Sequence, residues 1–232
     1  LKEGADLRGT LNNINRREVL KYLGYKGGKI DEKTENDIEK ISQKVIEISM
    51  PLVTFKIMDI DREYGFALNG TNFIPEGKDI KEILKYCDKC IIMAATLGMN
   101  IEKELRTKQI SDMYSAVIMD SCASAAIENV CDNFQEMLEN KYISQGLFIT
   151  DRFSPGYGDM PFYQQKELCA LLQTEKTIGV SLSSSGIMIP RKTVTAIMGI
   201  SNIKPKRRLS CENCSMFENC DYRKGGNYCG RV

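Results

Sequence analysis

Two stretches of the sequence carry residues whose types and spacing suit chemistry. The first is Arg152-Phe-Ser-Pro-Gly-Tyr157-Gly-Asp-Met-Pro161. Within it, Ser154-Pro155-Gly156-Tyr157 has proline and glycine where a type II turn needs them. Proline sets φ at the second position and glycine takes the positive φ of the third. Such a turn presents backbone groups without Cβ obstruction, with Arg152 and Tyr157 at its flanks. An arginine fork can hold a carboxylate bidentately, and a tyrosine ring can lie against a flat or cationic group. Taken alone, the stretch is most simply an ordinary surface turn.

The second is Cys211-x2-Cys214-x5-Cys220-x8-Cys229. A thiolate quartet containing one C-x2-C pair can close around a tetrahedral metal, zinc being the default for all-sulfur sites. Iron–sulfur is the second metal reading, although the C-x2-C-x2-C run of a ferredoxin cluster is missing. Disulfides or idle thiols are the other readings. So short a segment has little apolar area to hold it, and a metal would supply stabilisation because binding energy becomes folding energy. The other C-x2-C, Cys87 to Cys90, leads into the apolar run CIIMAATLG and reads as packing, as do Cys122, Cys131 and Cys169 in helical patterns.

Composition narrows the chemistry further. The 232 residues are 42% hydrophobic and 27% charged with a net charge of +1, which excludes a disordered chain. There is no His, so no Ser-His-Asp or Cys-His unit, no His-containing zinc site and no imidazole ligand to a corrin or haem. No G-x-x-x-x-G-K-[ST] loop and no C-x3-C-x2-C is present. No apolar run is long enough for a membrane span, and the start is no signal peptide, so a reducing cytoplasm is expected. The first residue is not Met, so the first residues are expected to be either truncated or foreign to the natural chain. From Lys204 to Val232, seven Lys/Arg stand against three Asp/Glu, a local charge of +4 that leaves −3 for the body. The basic cluster of Lys204, Lys206, Arg207 and Arg208 lacks interleaved aromatics, so nucleic acid is not expected.

Asn15 and Glu18 have the places of a capping box before a short helix that Gly24 closes, with Gly27 and Gly28 beyond it. Between Asp31 and Ser49, Ile38, Ile41, Val45 and Ile48 mark one face of a helix stopped by Pro51. Residues 53–57 and 65–68 predict strands, 79–86 a helix, and 111–142 the longest helix, free of Pro and Gly. Residues 164–173 predict another helix, and 177–182 and 193–200 further strands. Helices and strands do not alternate one for one, so the expected class is α+β: helices packed on a twisted, mostly antiparallel sheet. The organisation is one main domain over 1–203 and a basic, Cys-rich extension over 204–232.

Arg152-x3-Gly156-Tyr157 with Pro161, the helix through Leu168, and then IGVSLSSSGIMIPRKTVTAIMG together resemble the activation domain of cobalamin-dependent methionine synthase. INRREVLKYLGYKG near the start and ATLG at 95–98 resemble its small stand-alone members, and the likeness spans roughly residues 14–200. The resemblance implies that Arg152 pairs with the methionyl carboxylate of S-adenosylmethionine. It also implies that Gly156 and Tyr157 line the ligand groove, and that Glu128 lies near the ligand's cationic end. Read from the residues alone, Glu128 is equally a solvated helix face. No counterpart is identified for the acidic residue that the long enzymes supply near the domain start, and their aromatic-containing final stretch is replaced by the Cys-rich tail. The implied function is a methyltransferase component: reductive methylation of oxidised cobalamin on a partner methionine synthase, with a flavodoxin-like electron donor. Methyl transfer from a sulfonium to reduced cobalt needs no general base, which suits a chain without His and assigns it no catalytic residue. A rival reading is a non-catalytic, metal-bearing docking or redox module for a corrinoid protein.

Overall fold

In the computed structural model the described residues are 7–25, 30–205 and Glu218. A central sheet runs β1 (Leu7–Arg8), β2 (Leu52–Asp61), β4 (Cys87–Thr96), β8 (Thr193–Ser201) and β5 (Phe148–Ile149), with β3 (Ala67–Leu68) beside β2. Every pairing is antiparallel. A second small sheet is the hairpin of β6 (Ser181–Leu182) and β7 (Met188–Ile189).

The central strand explains the unbroken apolar run around CIIMAATL: both of its faces are covered. Ile91, Met93 and Ala95 pack in one core with α1 (Arg16–Tyr22), α2 (Glu32–Ile48), α4 (Met99–Ser111) and α5 (Met113–Ile143). Cys90, Ile92 and Ala94 point to the other core, with α3 (Lys78–Leu84), α6 (Gln164–Leu172) and the hairpin. This is the expected α+β class, helices on an antiparallel sheet.

Local signals account for most helix ends. Asn15 Oδ1 accepts the Arg17 N–H (2.9 Å), but Glu18 turns to Lys21 (3.0 Å) instead of completing the capping box. Gly24 ends α1 in a Schellman arrangement, its N–H donating to the Lys21 carbonyl and that of Tyr25 to Leu20. Asp31 caps α2 through the Thr34 N–H. Three expectations change. The long helix does not begin at 111: Ser111 ends α4, the chain breaks at Asp112 (φ −156°), and the Asp112 carboxylate caps α5. Residues 177–182 are not one strand, since α7 (Thr174–Thr177) occupies the start and only Ser181–Leu182 pair. The central strand starts at Cys87, ahead of the apolar run.

Candidate functional site

Arg152 owes its position to a bulge. Thr150 exchanges hydrogen bonds with Gly199, and Phe153 with Ile197, so Asp151 and Arg152 together face the single residue Met198. An extra residue in one strand reverses the side to which later side chains point. Ile149 therefore packs on the α5 side and Phe153 on the opposite side, while Arg152 reaches α5.

There the guanidinium meets three polar side chains one helical stripe apart. Arg152 Nη1 donates to Gln135 Oε1 (2.8 Å), and Nη2 donates to Asp132 Oδ1 (2.8 Å) and Glu128 Oε2 (3.3 Å). Residues 128, 132 and 135 share a face because their spacing of four and three follows the helical turn. The Arg152 side chain is 16% exposed, whereas both carboxylates are 37% exposed. Of its five N–H groups, one on Nε and one on Nη1 have no partner among the described residues.

Two carboxylates share the Arg152 guanidinium. Burial disfavours the arginine's charge, but Cys131 and the Asp132 and Glu128 carboxylates outweigh it and hold its pKa above the ordinary value. Glu128 moves the other way for a carboxyl. Desolvation pushes its pKa up, Asp132 adds like-charge repulsion, and Arg152 and Lys21 only partly oppose them.

The turn that follows has the expected geometry. Gly156 has φ +89°, and the Tyr157 N–H donates to the Ser154 carbonyl (3.1 Å). A Cβ at Gly156 would sit 3.4 Å from one edge of the Phe162 ring, and a Cβ at Gly186 of the hairpin 3.4 Å from the other. The loop is fastened at its far end. Asp159 accepts the Lys78 and Asp79 N–H groups, capping α3 where Gly77 has no side chain to do so. Those same bonds hold the Asp159 pKa down. Gln164 grips the Ile74 carbonyl and the Glu76 N–H, and Gln165 the Gly186 carbonyl. Tyr157 stands exposed at the top of the turn.

Of the residues singled out in the sequence, Arg152 and Glu128 are thus in contact, and Gly156 and Tyr157 form the turn that follows Arg152 along the chain. Asp132 and Gln135 were not anticipated; their spacing from Glu128 on a helix without Pro or Gly was the available signal. Cys211, Cys214, Cys220 and Cys229 lie outside the described residues, and the zinc or iron–sulfur expectation lies there with them. Among the described residues no group of three or more Cys, Asp or Glu is placed to hold a metal ion. Cys87, Cys90 and Cys131 are buried, with pKa values pushed up to about 12, which fits packing. No helix among the described residues is long and apolar enough to cross a membrane.

No curated protein matches the sequence. Among solved structures, the crystal structure of the MetH reactivation domain bound to AdoHcy is similar in fold, with a TM-score of 0.57 at 13% identity. The likeness covers 97% of this chain and 90% of that one. Residues 79–206, more than half of the sequence and including Glu128, Arg152 and the turn, match the family described as vitamin B12 dependent methionine synthase, activation domain. With that match added to the fold and to the Arg152-x3-Gly156-Tyr157 stretch, the chain belongs to the family of vitamin B12-dependent methionine synthase activation domains.

Proposed function

We propose that this chain binds S-adenosylmethionine at the Arg152 cluster and the adjoining turn, and supports reductive methylation of oxidised cobalamin on a partner methionine synthase. The observation that carries the reading is the geometry at Arg152: a guanidinium fixed by Gln135 and Asp132 with N–H groups left over, beside the half-exposed Glu128 and Asp132 carboxylates. S-adenosylmethionine carries a sulfonium, an ammonium and a carboxylate, so cluster and ligand are complementary. Family membership and the AdoHcy-bound structural relative support the same assignment.

An unpartnered N–H of Arg152 takes the ligand carboxylate, a charge-assisted contact with a donor already fixed by Asp132 and Gln135. Glu128 faces the cationic end. The Gly156–Tyr157 backbone and the exposed Tyr157 ring border the remainder of the ligand, where the absence of a Cβ at Gly156 allows close approach. The reduced corrinoid, carried by the partner and supplied with an electron by a flavodoxin-like donor, provides the nucleophile. On this chain's side the methyl–sulfur bond breaks, its electron pair stays on sulfur, and neutral S-adenosylhomocysteine leaves. No proton moves, so the chain's work is to bind, orient and exclude water.

Calorimetric titration of S-adenosylmethionine into the folded chain tests this. Saturable binding with one site is expected. No binding by a folded protein would overturn the reading and leave the docking or redox module in its place.

A further inference from the structure

We propose that the cleft between α4 and the β6–β7 hairpin binds the phosphate group of a small phosphorylated ligand. It shares no residue with the Arg152 cluster and stands or falls independently of it.

The cleft is built on Glu102, whose side chain is only 3% exposed. Its carboxylate accepts Arg191 Nε (3.1 and 3.2 Å), the Arg191 backbone N–H (3.3 Å) and Arg106 Nε (3.3 Å). Both guanidiniums are thus held by their inner edge. Their outer Nη1 and Nη2 groups have no partner among the described residues, and the side chains are 69% and 46% exposed for Arg106 and Arg191. Joining the 189–192 connection to α4 requires one arginine; the second adds a positive charge that Glu102 does not neutralise. The result is a pair of forks fixed to one anchor and facing solvent with one positive charge in excess.

The surroundings add donors of the right kind. The cleft encloses about 380 Å³ and is bordered also by Gln109, Ser183 and Ser185. The two serine hydroxyls share one hydrogen bond (2.9 Å), and Ser183 Oγ accepts the Ile187 N–H, so one hydroxyl proton has no acceptor among the described residues. A carboxylate would be satisfied by one arginine fork. A phosphate monoester offers three terminal oxygens and up to two charges, enough to engage both forks and a serine hydroxyl. Ile187 and Ile189 supply an apolar wall for the organic part of the ligand, and the volume lies within the range of small-molecule sites.

Phenyl phosphate and benzoate share an apolar body and differ in the anion, which makes them the probes of choice. Each is titrated at constant ionic strength while the amide resonances of Ser183, Ser185 and Arg191 are followed. Saturable shifts are expected with phenyl phosphate, and benzoate is expected to bind about tenfold more weakly, the lower limit for a lost charged hydrogen bond. Arg106→Gln, at an exposed position, should weaken phenyl phosphate by a similar factor while the protein stays folded and its S-adenosylmethionine affinity is unchanged. Shifts that stay linear with phenyl phosphate, benzoate binding as tightly, or Arg106→Gln binding like wild type would each overturn the proposal.

Discussion

Glu102 and Glu128 sit on successive helices, α4 and α5, and each accepts an arginine delivered from a segment far along the chain. Their environments nevertheless diverge. Glu102 has two guanidiniums and a backbone N–H to itself; although desolvation opposes its charge, these donors prevail and its pKa falls below the ordinary carboxylate value. Glu128 shares one guanidinium with Asp132, and desolvation with like-charge repulsion raises its pKa. One arginine–carboxylate contact per site therefore says little about what the site attracts. The balance around each carboxylate differs: Glu102 meets two guanidiniums, whereas Glu128 and Asp132 share one.

Removing the anchor should break the comparison most visibly. Glu102→Gln leaves two guanidiniums facing each other, and a loss of about 3 kcal/mol is expected in urea unfolding at neutral pH, the scale for disrupting a buried ion pair. Because the Glu102 pKa is lowered on folding, its contribution is complete above the unfolded-state value and disappears as pH falls through the folded value. Wild type and Glu102→Gln should therefore converge in acid; a gap that persists there would show that charge is not what Glu102 supplies. Gly156→Val acts on the contact that joins the turn to the hairpin, through Phe162 between Gly156 and Gly186. A β-branched residue at φ +89° costs about 2 kcal/mol, and weaker S-adenosylmethionine binding should accompany it; wild-type stability would refute the strain argument. Glu128→Gln should be nearly silent, within about 0.5 kcal/mol, since folding already raises that carboxyl's pKa. Its linkage has the opposite sign to that of Glu102: the stabilising contribution is present below the unfolded-state pKa and lost as pH rises through the folded one. Affinity for S-adenosylmethionine should fall as acid protonates Glu128, and Glu128→Gln should flatten that profile. An unchanged profile would remove Glu128 from the cationic end.

The sequence displayed its local geometry well and its long-range partners poorly. The proline and glycine of Ser154–Tyr157 define a turn by themselves, and Gly156 has the positive φ they demand. The central strand was legible because an apolar run bounded by a turn has few alternatives. Helix α4 was missed because its sequence, MNIEKELRTKQIS, gives the core only Ile101 and Leu105, with Glu102 as a buried acid between them. Its junction with α5 at Asp112 carries neither Gly nor Pro, so the sequence places the start of the long helix at 111, the last residue of α4. The bulge at Asp151–Arg152 depends on register against β8, and the Asp159 cap spans 81 residues to Lys78. Neither leaves a local pattern.

The central claim, that Arg152 and its carboxylates form the ligand site, is tested most directly by calorimetric titration of S-adenosylmethionine into wild type and Arg152→Ala, each shown by circular dichroism to be folded. The mutant is expected to bind about 1.5–3 kcal/mol more weakly, the value of a hydrogen bond to a charged group. Equal affinities in two folded proteins would contradict it and take Arg152 out of the site.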